Sequence, residues 1–551
     1  LYAANIDGSE LDQLVSHGAS RAWVPSTLKR KPLPHNFFLL GQPGTQDTDS
    51  VYVTQVKAGP NEDARVSLFK LDTLSTRVED VPGPAGRVQH WMLDAHGRPA
   101  LAITVEDDQQ TLHYLDAKTG VWRKLATQGR YLNNEGAISP LGFTPDGQFF
   151  VTSRQGRNTV APFRYDLTTG KLAPQPLVDM PDFDFDGSLV VGPDKLLGIR
   201  YVADGEGTTW FDPALKAMQD TVDKLLPGRI NSLRVGRRAE TPFVLVVSWS
   251  DRQPAQFLVF NRDTNKLSRL GDTHPDIDAA RMAGLDFVRV KARDGLSIPT
   301  WVTVPNGGIG KKLPMVVLVH GGPNVRGSAL HWDAERQFLA SRGYVVVEPE
   351  FRGSTGYGHA LYRAGWKQWG LAMQDDIADA TRWAIDQGIA DPKRICIAGA
   401  SYGGYAVLMG LIRDPALYRC GIDWVGVTDI DLLYGGRWWE DDGDVSEGAK
   451  RHSMPTLIGD RVKDAAQFAA TSPLKNAARI TQPLLLAYGG IDQRVPIYHG
   501  RRFMDAVRET NKQVEWVEYE EEGHGWKLLA TKRDFWGRVE NFLQRQIGGP
   551  R

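Results

Sequence analysis

Gly399-Ala400-Ser401-Tyr402-Gly403 decides the reading of this chain. The apolar run Arg394-Ile395-Cys396-Ile397-Ala398 precedes it and reads as a buried strand, while Tyr405-Ala406-Val407-Leu408-Met409 follows it and reads as a helix. Strand, G-x-S-x-G, helix is the setting of a nucleophile elbow, a turn so tight that only glycines fit on either side of the serine. The serine hydroxyl then stands free at the end of a sheet. G-x-S-x-G alone is common by chance, so its flanks carry the weight.

A serine hydroxyl is a poor nucleophile until a base takes its proton, and the base needs a carboxylate to orient it. In α/β-hydrolases these groups follow in the order Ser, Asp, His. Leu484 to Tyr488 reads as a strand, and Gly489-Gly490-Ile491-Asp492 follows it. Val514 to Tyr519 reads as another, followed by Glu522-Gly523-His524-Gly525. Ser401, Asp492 and His524 each sit in a loop just after a strand, where open α/β sheets place their chemistry. Negative charge developing on a carbonyl oxygen needs positioned donors. The N–H of Tyr402 is one candidate. The other is the N–H of Gly322 in His320-Gly321-Gly322-Pro323, which follows the strand Met315 to Val319.

Residues 285–551 read as an α/β-hydrolase, a mostly parallel, doubly wound sheet, because near-continuous Val/Ile/Leu strands alternate with helical stretches such as Ala334 to Ser341 and Asp375 to Ile385. Residues 1–284 read differently. Strand-like residues run repeatedly into an Asp or Asn and then a short Thr-, Ser- or Gly-rich turn. The anchors are Asp72, Asp116, Asp166, Asp212 and Asn261, at intervals of 44, 50, 46 and 49 residues. A period of roughly 40–50 residues with several short strands per unit indicates an all-β propeller. Thr144-Pro145-Asp146-Gly147 marks a second type of blade turn. Tyr2 to Ser9 resembles a sixth, partial copy. The expectation is therefore that the chain begins mid-blade, with further strands preceding Leu1 in the native protein.

At 551 residues two or more domains are expected. Net charge is -1, so no electrostatic case arises for nucleic acid or an anionic membrane, and the longest apolar runs are too short to span a bilayer. Two cysteines make no disulfide scaffold; Cys396 and Cys420 read as buried free thiols, a disulfide requiring that their strands be neighbours. Asp182-Phe183-Asp184-Phe185-Asp186-Gly187 imitates an EF-hand start, but position twelve is Pro193, so it reads as a blade turn. Glu440-Asp441-Asp442-Gly443-Asp444 reads as a solvated acidic loop. No metal or cofactor is implied.

The hydrolase half resembles the prolyl oligopeptidase family of serine peptidases, in particular its acylaminoacyl-peptidase and dipeptidyl-peptidase-like members. The matching stretches are His320-Gly321-Gly322-Pro323, Arg352-Gly353-Ser354-Thr355-Gly356-Tyr357-Gly358, Gly399 to Tyr405, Asp492-Gln493-Arg494-Val495-Pro496 and Gly523-His524-Gly525. The resemblance implies hydrolysis of short peptides through an acyl-enzyme, with the propeller restricting entry by large folded proteins. It implies that Arg494 binds a substrate carbonyl, although a structural salt bridge suits this residue equally well. It also points to Tyr434, Trp438 and Trp439 as an apolar slot for the residue before the cut bond, ordinary packing being the alternative. The glutamate pair with which dipeptidyl peptidases hold a free amine has no convincing counterpart in residues 1–284. A serine esterase and a catalytically dead propeller scaffold are the rival readings. Oligomeric state, a homo-oligomer included, and compartment are left open.

Overall fold

The computed structural model describes residues 1–5, 7–9, 11–16, 32–43, 48–57, 63–132, 135–236, 241–308, 312–435 and 446–548. Among them, five small antiparallel sheets succeed one another between Phe37 and Asp272. Each is a meander, its strands neighbouring in chain order. Tyr2–Ala3 pairs with Asp12–Gln13 as a separate hairpin. The blade turns are built as the repeat suggests. Asp72 accepts from the N–H groups of Leu74 and Ser75, and Asp116 from those of Lys118 and Thr119. Asp166 does the same for Thr168 and Thr169, and Asn261 for Asp263 and Thr264. A side-chain oxygen that satisfies two backbone donors closes the turn without help from distant residues.

Asp212 departs from the repeat. Its carboxylate accepts from Ala214 and Leu215 N–H at 3.0 Å and caps the helix Pro213–Leu225. The same Asx geometry serves a turn or an N-cap, and Pro213 at the first helical position favours the helix. This sheet accordingly has three strands, where its neighbours have four.

The described residues of the second half form one eight-stranded sheet. In chain order its strands are β1 (Gly284–Lys291), β2 (Ser297–Val304), β3 (Leu313–Val319), β4 (Val345–Pro349), β5 (Ala390–Ala400), β6 (Cys420–Trp424), β7 (Leu484–Gly489) and β8 (Val514–Tyr519). The spatial order is β1-β2-β4-β3-β5-β6-β7-β8, antiparallel over the first three and parallel from β4 onward. Helices α1 (Ala334–Ser341), α2 (Ala372–Asp386), α3 (Tyr402–Arg413), α4 (Tyr498–Thr510) and α5 (Leu529–Gln546) cover it. The two-residue period of the strands divides the core. Met315, Val317 and Ile397 pack with α2, α3 and α4; Val316, Cys396 and Ile422 pack with α1 and α5. With both faces covered, the central strands have no polar side, hence their unbroken apolar runs.

Cys396 and Cys420 are not free thiols. They are direct register partners on β5 and β6, with Cα atoms 4.8 Å apart, and their sulfurs are bonded. Strand order, which no local pattern encodes, brings them together.

The propeller sheets are hydrogen-bonded to the hydrolase loops. Asp184 accepts from Val160 N–H on its own side and from the Gly356 and Gly358 N–H groups across the junction. Leu330 N–H donates to the Asp204 carbonyl. Arg352, in the same loop as Gly356, is buried and grips Asp376 of α2 through two hydrogen bonds at 2.7 and 2.8 Å.

Candidate active site

Four loops meet at the carboxyl ends of the parallel strands. They follow β3, β5, β7 and β8, and carry Gly322, Ser401, Asp492 and His524 respectively.

Ser401 has φ 59° and ψ -120°, a conformation costly for any residue with a Cβ. The surrounding glycines enforce it by close approach. A Cβ on Gly403 would strike the Val319 carbonyl, and one on Gly404 would strike the Asp423 carboxylate. One on Gly399 would come within 2.6 Å of the Gly403 carbonyl carbon. Helix α3 starts immediately after Ser401, so the N–H of Tyr402 has no intrahelical acceptor. The Tyr402 ring is buried among Phe351, Trp369 and Tyr405.

Asp492 and His524 are brought together by backbone contact between two loops. Gly490 N–H donates to the Tyr519 carbonyl at 2.9 Å and Ile491 N–H to the Glu522 carbonyl at 3.1 Å. Only glycine fits at 489 and 490, because a Cβ there would run into the backbone of residues 520–523. Asp492 Oδ1 accepts from the N–H groups of Arg494 and Val495 at 2.8 and 3.0 Å. Its Oδ2 is left for Nδ1 of His524, at 2.8 Å. The Asp492 side chain is fully buried, whereas that of His524 is 18% exposed. A carboxylate that only accepts makes Nδ1 the donor and leaves Nε2 as the basic nitrogen.

Glu522, which the sequence motifs had not assigned a role, holds this loop. Its two oxygens accept from Lys527 and Leu528 N–H at 2.8 and 2.9 Å. Burial raises its carboxyl, but these amide bonds outweigh that and hold it below its ordinary value.

Gly321 lies against the serine: a Cβ there would be 3.3 Å from both Ser401 Cβ and the Ala400 carbonyl oxygen. Gly322 has φ +115°, open only to glycine without strain. Gly321, Gly322, Ser401, Tyr402, Arg494 and His524 line one cavity of about 640 Å³. Its far wall is apolar, from Trp369, Val427, Leu433, Met454, Leu457 and Ile458. Leu433 reaches this wall, but its neighbour Tyr434 does not line it. The Tyr434 hydroxyl donates to the Gly459 carbonyl, and its ring lies 6.0 Å from Phe468. Trp438 and Trp439 lie outside the described residues, as does the acidic loop 440–444. Met454 to Ile458 had no recognisable motif; what placed them here is a chain return that sequence spacing does not reveal.

Beneath the elbow, Asp423 of β6 is wholly buried, and burial pushes its carboxyl up to about 7. The Tyr488 hydroxyl lies 2.9 Å from both Asp423 Oδ2 and the Gly426 carbonyl oxygen. One hydroxyl hydrogen cannot serve two acceptors. A protonated Asp423 resolves this by donating to the Tyr488 oxygen, which in turn donates to Gly426.

Residues 330–550 match the model of the prolyl oligopeptidase family. Dipeptidyl aminopeptidase BIII of Pseudoxanthomonas mexicana is 31% identical over 433 residues, 75% of this chain and 60% of that protein. Dipeptidyl peptidase family member 6 of Caenorhabditis elegans is 30% identical over 334 residues, 55% of this chain and 44% of that protein. The chain thus matches less than two thirds of the length of these curated relatives. A puromycin-hydrolyzing peptidase of Mycobacterium tuberculosis has the same fold, with a TM-score of 0.73 at 20% identity, covering 94% of this chain and 80% of that one. That shared fold is, in this chain, a run of small antiparallel propeller sheets followed by an eight-stranded α/β-hydrolase sheet.

Proposed function

The chain carries a domain of the prolyl oligopeptidase family, and on that premise we propose that it is a serine peptidase hydrolysing short peptides through an acyl-enzyme. The observation that carries this reading is the shared cavity onto which Ser401 and His524 both open, with His524 oriented by Asp492 at 2.8 Å.

In this mechanism Ser401 Oγ attacks the peptide carbonyl carbon while Nε2 of His524 takes its proton. Asp492 stabilises the imidazolium without itself becoming protonated. The N–H groups of Tyr402 and Gly322 hold the oxyanion. The C–N bond then breaks, and the amine leaves with the proton from His524. Water, deprotonated by the same nitrogen, attacks the ester carbon and frees Ser401. Arg494 binds a carbonyl of the peptide, and the apolar wall takes the side chain preceding the cut bond. The propeller excludes folded proteins.

The test is cleavage of a short-peptide library by the wild type and by Ser401→Ala, alongside simple esters matched in acyl group. The reading predicts amide cleavage that Ser401→Ala abolishes. Ester cleavage with no measurable amide cleavage would make the chain an esterase.

A further inference from the structure

We propose that Tyr131 of the propeller half is a positioning residue that fixes the apolar wall of the active-site cavity and so tunes the choice of residue before the cut bond; this rests on the reading of that wall made above. Met454, Leu457 and Ile458 belong to the wall. They sit on or next to the short helix Met454–Leu457, and the helix Glu447–His452 runs straight into it. Ser453 joins the two. Its N–H and its hydroxyl both donate to the Ala449 carbonyl at 3.0 Å, and its own carbonyl accepts from Leu457 N–H at 2.9 Å. The pair is therefore one body. Helices this short do not hold their place unaided, and no residue of Glu447–His452 is buried. Their position has to be fixed from outside.

The propeller supplies one fastening. Tyr131 follows the strand Trp122–Gly129, the last of its sheet. Its ring stacks on His452, with centroids 5.5 Å apart and planes at 15°. Gly448, one turn earlier on the same helix, makes room for the hydroxyl, since a Cβ there would strike it. The Arg130 guanidinium lies over the same ring, 4.9 Å from its centroid. Arg130 is itself anchored in the propeller. It donates to Asp63 at 2.8 Å and to the Gln89 side-chain oxygen at 3.1 Å, while its N–H donates to the Asp108 carbonyl at 2.8 Å. The hydrolase half holds the other end. Lys367 N–H donates to the Leu457 carbonyl at 2.9 Å, and its ammonium pairs with Asp464 at 2.8 Å. Met454 lies two residues from His452, so a shift of the stacked end reaches the cavity directly. The two halves of the chain thus share the support of one wall.

The experiment compares peptide amides with leucine or glycine before the cut bond. Tyr131→Ala and His452→Ala should lower kcat/KM on the leucine peptide about 3- to 10-fold, with the glycine peptide within about twofold of wild type. The double variant should lose little more than either single one, because both remove the same contact. Tyr131→Phe keeps the stack and should stay near wild type. Gly448→Ala should reproduce the loss by pushing the helix off the hydroxyl, and Tyr131→Phe should partly restore activity in that background. General destabilisation gives no such rescue, and the rescue keeps the test open if Tyr131→Ala misfolds. Equal losses on both peptides, no loss on either, or no rescue overturns the role of Tyr131. Met454→Asp run in parallel separates the two claims. If it too leaves the leucine preference unchanged, the reading of the wall fails; if it alone removes the preference, only the bracing by Tyr131 fails.

Discussion

Asp492 offers its Oδ2 to Nδ1 of His524 at 2.8 Å because its Oδ1 is already occupied by two backbone N–H groups. In Asp492→Asn the amide oxygen would keep those backbone bonds and turn its NH₂ toward His524. The imidazole would then adopt the wrong tautomer. We expect kcat to fall by about 10³–10⁴ with the melting temperature little changed. Steady-state kinetics on a peptide amide, paired with thermal melting, checks this; a loss under tenfold in a folded variant contradicts the role of Asp492.

The apolar wall makes a separate prediction about substrate choice. Met454 is buried and faces the cavity. Met454→Asp should raise KM for substrates with an apolar residue before the cut bond by roughly tenfold or more, with less effect when that residue is glycine. Equal KM changes for both would place the wall outside the binding site.

Asp423 predicts a pH dependence of stability. Its carboxyl is raised from 3.8 to about 7 by burial, so the folded state holds a proton that the unfolded chain gives up near 4. Below that pH both states are protonated and the contribution is complete. Between about 4 and 7 the native state binds more protons, so stability falls as pH rises. Asp423→Asn mimics the neutral acid and removes this term. Its melting temperature, relative to wild type, should be higher at pH 8 than at pH 4. A difference that is flat, or of opposite sign, contradicts a protonated Asp423.

A glycine of the elbow and one just past the end of α2 differ in what surrounds them. Gly404→Ala drives a methyl group into the Asp423 carboxylate and should destabilise the fold by about 2 kcal/mol or more. Gly388→Ala meets no atom within 4 Å, but its φ of +73° still strains a Cβ, so the expected cost is nearer 1 kcal/mol. Urea denaturation of the two variants checks the order.

The disulfide predicts how the thiols react. Alkylation of the denatured protein should add no label before reduction and two labels after it, read by intact mass. Two labels without reductant contradict the bond.

Much of the site was legible because each of its loops follows a strand and carries glycines for local steric reasons. Gly399 and Gly403 announce a close approach within five residues of sequence, and Gly489-Gly490 another. The blade turns were legible for the same reason, since Asp72, Asp116 and Asp166 each bond amides two and three residues ahead. Asp212 shows the limit, because one Asx pattern opens either a hairpin or a helix and only the following residues decide. Long-range relations were not legible. The bond from Cys396 to Cys420 needs the β5–β6 register, and Tyr434 turns to Gly459 because residues 446–471 fold back over the cavity. Asp184 looked like part of a calcium loop, but its Oδ1 is used by the Val160 amide and its Oδ2 by the Gly356 and Gly358 amides of the hydrolase domain.

Catalysis by this chain turns on Ser401 as the nucleophile. Labelling with a fluorophosphonate probe followed by peptide mapping puts that to the test. A single phosphonyl adduct on Ser401 is expected, formed as peptide cleavage is lost and absent from Ser401→Ala. An adduct on another residue, or peptide cleavage that survives complete labelling of Ser401, would contradict it.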